Sequence, residues 1–358
     1  MNFKETYENK KVFLTGHTGF KGCWLLGWLH MLGAHVKGYA LAPQPEHQLY
    51  QHIRGDEHCD SEFGDIMQYD QLEKSLLDFQ PDFVFHLAAQ AIVRQSYQDP
   101  VGTFSINSIG TAHVLNAIRK LEKPCIAVLI TTDKVYYNYE WPYPYRETDR
   151  LGGYDPYSAS KACAELVIDS FRNSFFNRHA YPDHQKSVAV ARAGNVIGGG
   201  DWAKDRIIPD IIRSLQAGES IPVRNPRAVR PWQHVLEPLG AYLLLGAKQL
   251  EDPVKYASEY NFGPLTPDCW QVEDMVKQAI QTWGGGNYHV PDNTGMPHEA
   301  GLLKLDVSKA ERDLHWKPRF SASEAIDKTI SWYKSFDGSN AWELIRQDIH
   351  AFTASVQP

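Results

Sequence analysis

The sequence predicts an α/β fold, a doubly wound parallel sheet joined to a smaller mixed α/β lobe. Short apolar runs alternate with amphipathic helix patterns through the first half of the chain, and this alternation weakens after about residue 194. Strands that alternate with helices are joined by crossover connections, which place helices on both faces of a parallel sheet. The chain has 358 residues, and one hydrophobic core usually serves roughly 250–300, so we expect two units.

The elements of the first unit can be placed in order along the chain. The run at 83–89 is nearly continuously apolar, as expected of a parallel strand buried on both faces. The helical segments show apolar residues three and four positions apart. We expect strands at 11–16, 35–41, 83–89, 126–132 and 187–193, and helices at 20–33, 70–79, 103–121 and 157–176.

The second half of the chain is less regular because glycines and prolines interrupt it. We assign 1–195 to the sheet unit, with elements near 225–258 returning to it, and 196–358 mainly to the smaller lobe. Further helices are expected at 207–216, 236–249, 271–282, 307–314 and 323–333.

Composition excludes several classes of protein. A hydrophobic content of 43% and a charged content of 22% are ordinary for a globular protein. The net charge of −7 argues against a nucleic-acid binder. The first ten residues are polar and no apolar stretch is long enough to span a bilayer, so we expect a cytoplasmic protein without a membrane partner. Five scattered cysteines favour buried free thiols, and we expect no metal site.

A glycine-rich turn follows the first strand and opens the first long helix. Gly16, Gly19 and Gly22 form G-x-x-G-x-x-G, which lets a pyrophosphate approach the helix N-terminus. This context predicts a Rossmann-like dinucleotide site that includes Phe20, with His17 either contacting the pyrophosphate or facing solvent. Residues 39–43 contain neither an acidic ligand for a ribose diol nor an arginine for a 2′-phosphate, so that position does not separate NAD from NADP.

Two pairs of polar residues indicate acid–base chemistry. Tyr157 and Lys161 are four residues apart in a predicted helix and therefore share one face. At ~5 Å and an effective dielectric of about 20, the lysine charge favours the phenolate by around 3 kcal/mol, enough to lower the pKa of Tyr157 from about 10 towards 8. Such a phenolate takes a hydroxyl proton while hydride leaves the same carbon. Asp133 and Lys134 follow the strand end at Thr132, where parallel sheets bind ligands, and they suggest a coupled elimination.

These motifs resemble the extended short-chain dehydrogenase/reductase superfamily across nearly the whole chain. The resemblance rests on the glycine turn, the strand end at 86–89, Tyr157-x-x-x-Lys161 and the segment 305–310. Within that superfamily, the segments 131–138 and 192–202 look like those of nucleotide-sugar 4,6-dehydratases. Enzymes that act on dTDP-glucose carry Asp-Glu where this chain has Asp133-Lys134, and the lysine fits the branch that acts on CDP-glucose.

The resemblance implies a mechanism. NAD takes hydride from sugar C4, Tyr157 with Lys161 takes the hydroxyl proton, and Thr132 steadies the C4 oxygen. Lys134, when neutral, removes the C5 proton, and protonated Asp133 donates to the departing C6 hydroxyl. Hydride then returns to C6, which gives a 4-keto-6-deoxysugar for deoxysugar and lipopolysaccharide O-antigen biosynthesis.

The resemblance also implies binding residues and a partner. Expected contacts with NAD are Asp65, Ile66, Ala88 and Ala89, and expected contacts with the nucleotide sugar are Asn107, Asn195, Arg206 and Arg230. Asn107 resembles an asparagine of the superfamily's active-site hydrogen-bond network and is otherwise a helix-surface residue, and either arginine is otherwise a surface charge. A homodimer is expected through the helices 103–121 and 157–176, for which Ile168, Phe171 and Phe175 form either an apolar seam or core facing the sheet.

Three questions stay open in the sequence. A nucleotide-sugar 4-epimerase shares the cofactor, the tyrosine and the lysine, and a nucleotide-sensing regulator could share the fold without turnover. Because no acidic ribose ligand is present, we expect loose NAD binding, which tight retention in a titration would contradict. Tyrosines and a tryptophan crowd 136–145, and with Trp202 and Trp232 they suggest walls for a sugar and a base.

Overall fold

The computed structural model describes residues 3–44, 48–291 and 301–354. Its centre is a seven-stranded sheet in which every neighbouring pair is parallel, which confirms the predicted Rossmann-like α/β class. The strands are β1 (Lys11–Thr15), β2 (His35–Ala40), β3 (Asp60–Phe63), β4 (Phe83–His86), β5 (Cys125–Thr132), β6 (Lys186–Ala193) and β7 (Glu259–Phe262). Their spatial order is β7-β6-β5-β4-β1-β2-β3.

Helices cover both faces of this sheet and build most of the smaller lobe. Those of the first half are α1 (Phe3–Tyr7), α2 (Phe20–Met31), α3 (Leu49–His52), α4 (Tyr69–Phe79), α5 (Val93–Gln98), α6 (Pro100–Phe104), α7 (Gly110–Arg119), α8 (Pro156–Ser174) and α9 (Tyr181–His184). Those of the second half are α10 (Ile207–Ala217), α11 (Leu236–Glu251), α12 (Val272–Trp283), α13 (Ser308–Leu314), α14 (Ala322–Ser335) and α15 (Ala341–Ala354).

The register of the strands aligns their carboxyl ends at one edge of the sheet. Thr15, the last residue of β1, pairs with Tyr39 of β2 and with His86 of β4. Thr132, the last residue of β5, pairs with Ala193 at the end of β6. The segments that follow β1, β4, β5 and β6 therefore meet, and they contain the predicted site residues except Asp65 and Ile66, which follow β3.

The predicted helix at 103–121 differs in the structure. It begins earlier, at α6, because the Asp99 carboxylate accepts a hydrogen bond from the Gly102 N–H and Pro100 occupies the first helical position. A π-helical turn, Ser105–Ile109, then separates α6 from α7. That turn contains buried Asn107, and such turns are frequent at functional sites.

The second half contributes to both units. α11 packs beneath the sheet, and β7 pairs with β6 at its edge. The smaller lobe contains two-residue strands, which pair Val196–Ile197 with Gln233–His234, Val229–Arg230 with Trp270–Gln271, and Ile221–Pro222 with Tyr288–His289. The division of the chain at residue 195 stays a prediction.

Three further features bear on the class of protein. No helix in the part of the chain that the structure describes combines the length and apolar character that a bilayer span requires. The cysteines are free, and while Cys23 and Cys125 are buried as expected, Cys59, Cys163 and Cys269 are only partly buried. Within the same described ranges, His, Cys, Asp and Glu form no group of three or more that could hold a metal ion.

Candidate active site

The turn after β1 has a shape that requires glycine. Gly16 has a φ of +77°, and a Cβ there would lie 2.7 Å from the Ala88 nitrogen. A Cβ on Gly22 would lie 2.0 Å from the Gly16 oxygen. Gly19 precedes α2 in an extended conformation and makes no side-chain cap. No side chain therefore caps the N-terminus of α2, which fits the diphosphate of a dinucleotide.

The residues expected to contact NAD differ in their distance from this turn and in their burial. Ala88 and Ala89 follow β4 beside Gly16, and the Ala88 N–H donates to Thr15 Oγ1 at 3.2 Å. Asp65 is half-buried, and its carboxylate accepts a hydrogen bond from the Met67 N–H at 2.9 Å. The side chains of Ile66 and Phe20 belong to the hydrophobic core.

His17 does not face solvent, so that alternative is wrong. Its side chain is fully buried against Gly38, and Nε2 lies 2.8 Å from the Ser61 hydroxyl oxygen. Burial lowers the pKa of His17 to about 4, against the charge of Asp56, so the ring is neutral at pH 7. The ring therefore acts as packing beneath the turn.

Tyr157 and Lys161 lie in the first turns of α8. The helix begins at Pro156 because the Asp155 carboxylate accepts a hydrogen bond from the Ser158 N–H. Lys161 is buried and its Nζ donates to the Ile130 carbonyl oxygen at 3.0 Å. Burial lowers the pKa of Lys161 to about 8, and the charge of Glu165 opposes this effect.

The expected low pKa of Tyr157 is wrong for this structure. Burial raises the pKa of Tyr157 to about 12, and the charges of Asp133 and Asp155 add to the effect. A hydrogen bond with Thr132 and the charge of Arg206 act in the opposite direction. Desolvation outweighs neighbouring cations here, so the phenol is protonated at neutral pH.

Thr132, Asp133 and Lys134 form the end of β5 and the turn after it. Asp133 is 1% exposed, and its Oδ1 accepts a hydrogen bond from Thr132 Oγ1 at 2.9 Å. Its Oδ2 has no hydrogen-bond partner among the described residues. Burial raises the pKa of Asp133, while the charges of Lys134 and Arg230 and the Thr132 hydrogen bond oppose the rise. Lys134 Nζ lies 5.9 Å from the centre of the Tyr157 ring. The structure thus brings the five predicted catalytic residues together.

Two of the expected substrate residues contribute positive charge to this cluster. Arg206 pairs with Asp201 at 3.0 Å, and its charge acts on Tyr157. Arg230 lies close enough for its charge to lower the pKa of Asp133. Asn195 follows β6, is half-buried, and its carbonyl oxygen accepts a hydrogen bond from the Gln233 N–H at 3.0 Å.

Asn107 is not available to a substrate, so its assignment as a binding residue needs correction. Its Oδ1 accepts from the Gln90 N–H at 2.9 Å, and its Nδ2 donates to the Gln90 carbonyl and to Ser160 Oγ at 2.8 Å. The side chain is 1% exposed, and both amide hydrogens and one lone pair of Oδ1 are used inside the protein. Asn107 joins the segment after β4 to α8.

The sequence reasoning missed three charged residues of the site. Burial lowers the pKa of Lys21 to about 7, the charges of Arg206 and Lys161 add to this effect, and Asp133 opposes it. Glu165 and Arg192 form a buried ion pair behind Lys161. Lys21 could have been singled out as the charged residue inside the glycine turn, whereas the ion pair joins residues 27 positions apart and leaves no local signal.

The aromatic loop is divided between core and surface. Tyr136 and Tyr145 are buried and stack with ring centres 5.2 Å apart. Trp232 is also buried in the core, so the hypothesis of a cleft wall is wrong for these three side chains. The exposed members are Tyr137, Tyr139, Trp141 and Tyr143.

Comparison with known proteins agrees with the motifs. The profile of a family described as GDP-mannose 4,6 dehydratase matches residues 13–329. CDP-glucose 4,6-dehydratase from Salmonella typhimurium is 46% identical over 333 residues, which cover 93% of this chain and 93% of that protein. A dTDP-glucose 4,6-dehydratase from Xanthomonas campestris is 26% identical over 291 residues, which cover 75% of this chain and 77% of that protein.

A solved structure supports the fold independently. The dTDP-glucose 4,6-dehydratase from Streptomyces venezuelae, solved with NAD bound, superposes with a TM-score of 0.77 at 22% identity and covers 92% of this chain and 98% of that one. This superposition supports the fold, and the family profile together with the relative of 46% identity confirms the resemblance inferred from the sequence. Because the family profile spans most of the sequence and a relative of 46% identity spans 93% of it, the chain belongs to the GDP-mannose 4,6 dehydratase family.

Proposed function

We propose that this chain is an NAD-dependent dehydratase that converts CDP-glucose to CDP-4-keto-6-deoxyglucose. The observation that carries the proposal is the placement of buried Asp133 and of Lys134 beside Tyr157 at the end of β5. Alcohol oxidation and 4-epimerisation need only the tyrosine and the lysine, whereas a buried acid beside an amine suits an elimination. The 46% identity to a CDP-glucose 4,6-dehydratase supports the choice of substrate.

The glycine turn and the N-terminus of α2, which no side chain caps, would hold the cofactor. Ala88 and Ala89 would contact it from the segment after β4. NAD⁺, when bound, supplies the acceptor for the C4 hydride, the source of the hydride for C6 and a positive charge. Tyr157 takes the proton of the C4 hydroxyl. The hydrogen bond between Tyr157 and Thr132 and the charge of Arg206 favour the phenolate, as both act to lower the pKa of Tyr157.

Elimination then uses the turn after β5. The C4 ketone acidifies the C5 hydrogen, and Lys134 in its neutral form removes that proton. Asp133 donates its proton to the C6 hydroxyl, so that the C–O bond breaks and water leaves. Burial raises the pKa of Asp133, which favours the protonated acid that this step requires. Lys134 returns its proton to C5 when C6 is reduced.

A substitution of Lys134 tests this assignment. With CDP-glucose and NAD⁺ in D₂O, the native chain gives a 4-keto-6-deoxy product, detected by its absorbance in alkali, with deuterium at C5. Lys134→Ala leaves C4 oxidation intact but slows deuterium incorporation about 10²-fold or more. Lys277→Ala, a change at an exposed position of α12, is the matched control and retains the native rate.

The possible outcomes separate the proposed function from its alternatives. Native deuterium exchange in Lys134→Ala would mean that another group removes the C5 proton. Epimerised sugar without the keto product would identify a 4-epimerase. No conversion of any nucleotide sugar would favour a nucleotide-sensing regulator.

We also propose a homodimer that pairs α6, α7 and α8 with their counterparts in a second copy. Ile168 and Phe171 pack in the core between α8 and the sheet, the second of the two alternatives considered for them, and Phe175 lies at the surface under the Arg119 guanidinium. Large apolar side chains are nevertheless exposed on these helices and the turn between them, at Val101, Phe104, Ile109 and Leu166. The cytoplasmic location and the role in O-antigen biosynthesis stay predictions.

A further inference from the structure

Glu165 and Arg192 form a fully buried ion pair, and Glu165 lies one turn after Lys161 on α8. The carboxylate of Glu165 accepts hydrogen bonds from Arg192 Nε at 2.9 Å and Nη2 at 3.0 Å. Both side chains are less than 5% exposed. Burying two charges costs desolvation free energy that an apolar pair of similar size would avoid, so this pair is poorly explained by stability alone.

Glu165 joins the two elements that carry the catalytic residues, α8 and β5. Glu165 lies on α8 one turn after Lys161 and two turns after Tyr157, so the three side chains share a face. Its Oε1 also accepts a hydrogen bond from Thr131 Oγ1 at 2.6 Å, and Thr131 immediately precedes Thr132 and Asp133. The Glu165 carboxylate therefore connects α8, which carries Tyr157, to the end of β5, which precedes Asp133.

Arg192 extends the same network to the segment that follows the catalytic turn. Its Nη1 donates to the Tyr136 hydroxyl at 2.8 Å and to the Glu147 carbonyl at 3.0 Å. The Tyr136 hydroxyl in turn donates to Asn261 Oδ1 on β7 at 2.7 Å. The turn containing Asp133 and Lys134 is thus held from both sides, at Thr131 and at Tyr136.

Glu165 also determines the charge around Lys161. The titratable groups that interact electrostatically with Lys161 are Glu165 on its own helix, His86 on β4 and Lys21 on α2. Burial lowers the pKa of His86 to about 3, so its ring is neutral at pH 7. Lys21, when charged, repels Lys161, and Glu165 supplies the negative charge that keeps the lysine protonated.

We propose that Glu165, through Arg192 and Thr131, is a positioning residue for the oxidation of the sugar at C4. It holds Tyr157 and Lys161 at a fixed distance from Thr132 and Asp133, and it keeps a negative charge one turn from Lys161. This inference rests on the proposed function, because the step it supports is the first step of that reaction.

Glu165→Gln removes the charge at constant size, and Glu165→Asp retains it. The hydride step is measured in a single turnover as NAD⁺ reduction by CDP-glucose, from about pH 6 to about pH 10. We expect Glu165→Gln to slow this step about tenfold at neutral pH. In Glu165→Gln, the alkaline limb of the pH profile of the hydride step moves to lower pH by on the order of one unit, because Lys161 loses its proton more easily. CDP-glucose affinity, measured by calorimetry, is unchanged, and Glu165→Asp restores most of the native profile.

A matched control lies on the same helix. Arg172 of α8 pairs with Glu259 of β7 at 2.9 Å, a partly buried ion pair eleven residues beyond Lys161 along α8. Glu259→Gln should lower the thermal midpoint without moving the pH profile. The inference is overturned if Glu165→Gln keeps the native alkaline limb, or if Glu259→Gln shifts it equally.

A second variant covers the case in which Glu165→Gln does not fold. Thr131→Val removes one hydrogen bond between β5 and α8 and leaves the charge. It should slow the hydride step about threefold with the alkaline limb in place, and a native rate would contradict the positioning role. If the native chain does not oxidise CDP-glucose, the proposed function is wrong. If the native chain does oxidise it and these variants behave like the native chain, only the positioning role of Glu165 is wrong.

Discussion

Replacing Asp133 with asparagine isolates the acid of the proposed elimination. The side chain is buried, and its Oδ1 accepts a hydrogen bond from Thr132 Oγ1 at 2.9 Å. Asparagine retains that acceptor. Its amide nitrogen would replace Oδ2, which has no partner among the described residues, so no existing hydrogen bond is lost. The substitution therefore removes the proton donor while the geometry of the turn is kept.

The expected loss lies in one step. General acid catalysis contributes roughly 10²–10⁴-fold, so Asp133→Asn should form the 4-keto-6-deoxy product slower by that factor. NAD⁺ reduction in a single turnover should stay within about threefold of native, since Tyr157, Lys161 and Thr132 are unchanged. Deuterium should still enter C5 from D₂O, because Lys134 remains, and it should now accumulate in unreacted CDP-glucose.

The variant should also change stability with a definite sign. Burial raises the pKa of Asp133 above that of the unfolded chain, so its contribution is most favourable below the unfolded pKa and is lost as pH rises. Asp133→Asn should therefore unfold at higher urea concentration than native at neutral pH, by a margin that shrinks towards pH 4. Asp205→Asn, at a partly exposed position, is the control for both measurements.

Two results would refute the reasoning. Native product formation by Asp133→Asn would exclude the carboxyl group as the proton donor. Equal losses in NAD⁺ reduction, C5 exchange and product formation would show that the side chain supports the whole site rather than one proton transfer.

Three further predictions follow from separate features. Gly22→Ala should abolish measurable NAD binding in a fluorescence titration, because its Cβ would lie 2.0 Å from the Gly16 oxygen; an unchanged dissociation constant would contradict the glycine-turn site. Burial raises the pKa of Glu237 from 4.5 to about 7, so the free energy of unfolding should fall as pH rises through that range, by about 3 kcal/mol, and Glu237→Gln should remove most of this dependence in urea titrations. Leu166→Glu, at a side chain 59% exposed, should give monomers in sedimentation analysis without lowering the thermal midpoint, and an unchanged mass would place the interface elsewhere.

The regular elements could be predicted because their signals are local. The strand at 126–132 lies within one residue of β5, and the helix at 157–176 within two residues of α8, since an apolar run and an Asp-Pro cap specify them. β3 was not recognised as a strand because its four residues, Asp-Ser-Glu-Phe, lack an apolar pattern. The C-terminal helix α15 was also missed, although it packs on α2 where Trp342 contacts Gly27.

The candidate site divides in the same way. The sequence by itself determined the glycine turn, the spacing of Tyr157 and Lys161, and the strand end at Thr132 and Asp133. These features depend on backbone conformation or on residues within a few positions of one another, and the parallel sheet brings their strand ends to one edge.

Only the tertiary structure decided the protonation of these groups and the network that holds them. Burial raises the pKa of Tyr157 to about 12, although spacing alone suggested a decrease, because desolvation depends on everything that surrounds the phenol. Glu165 and Arg192 meet across 27 residues, and Asn107 and Ser160 across 53. Contacts between residues so distant in sequence form only when helix and sheet pack, so no local sequence pattern could predict them.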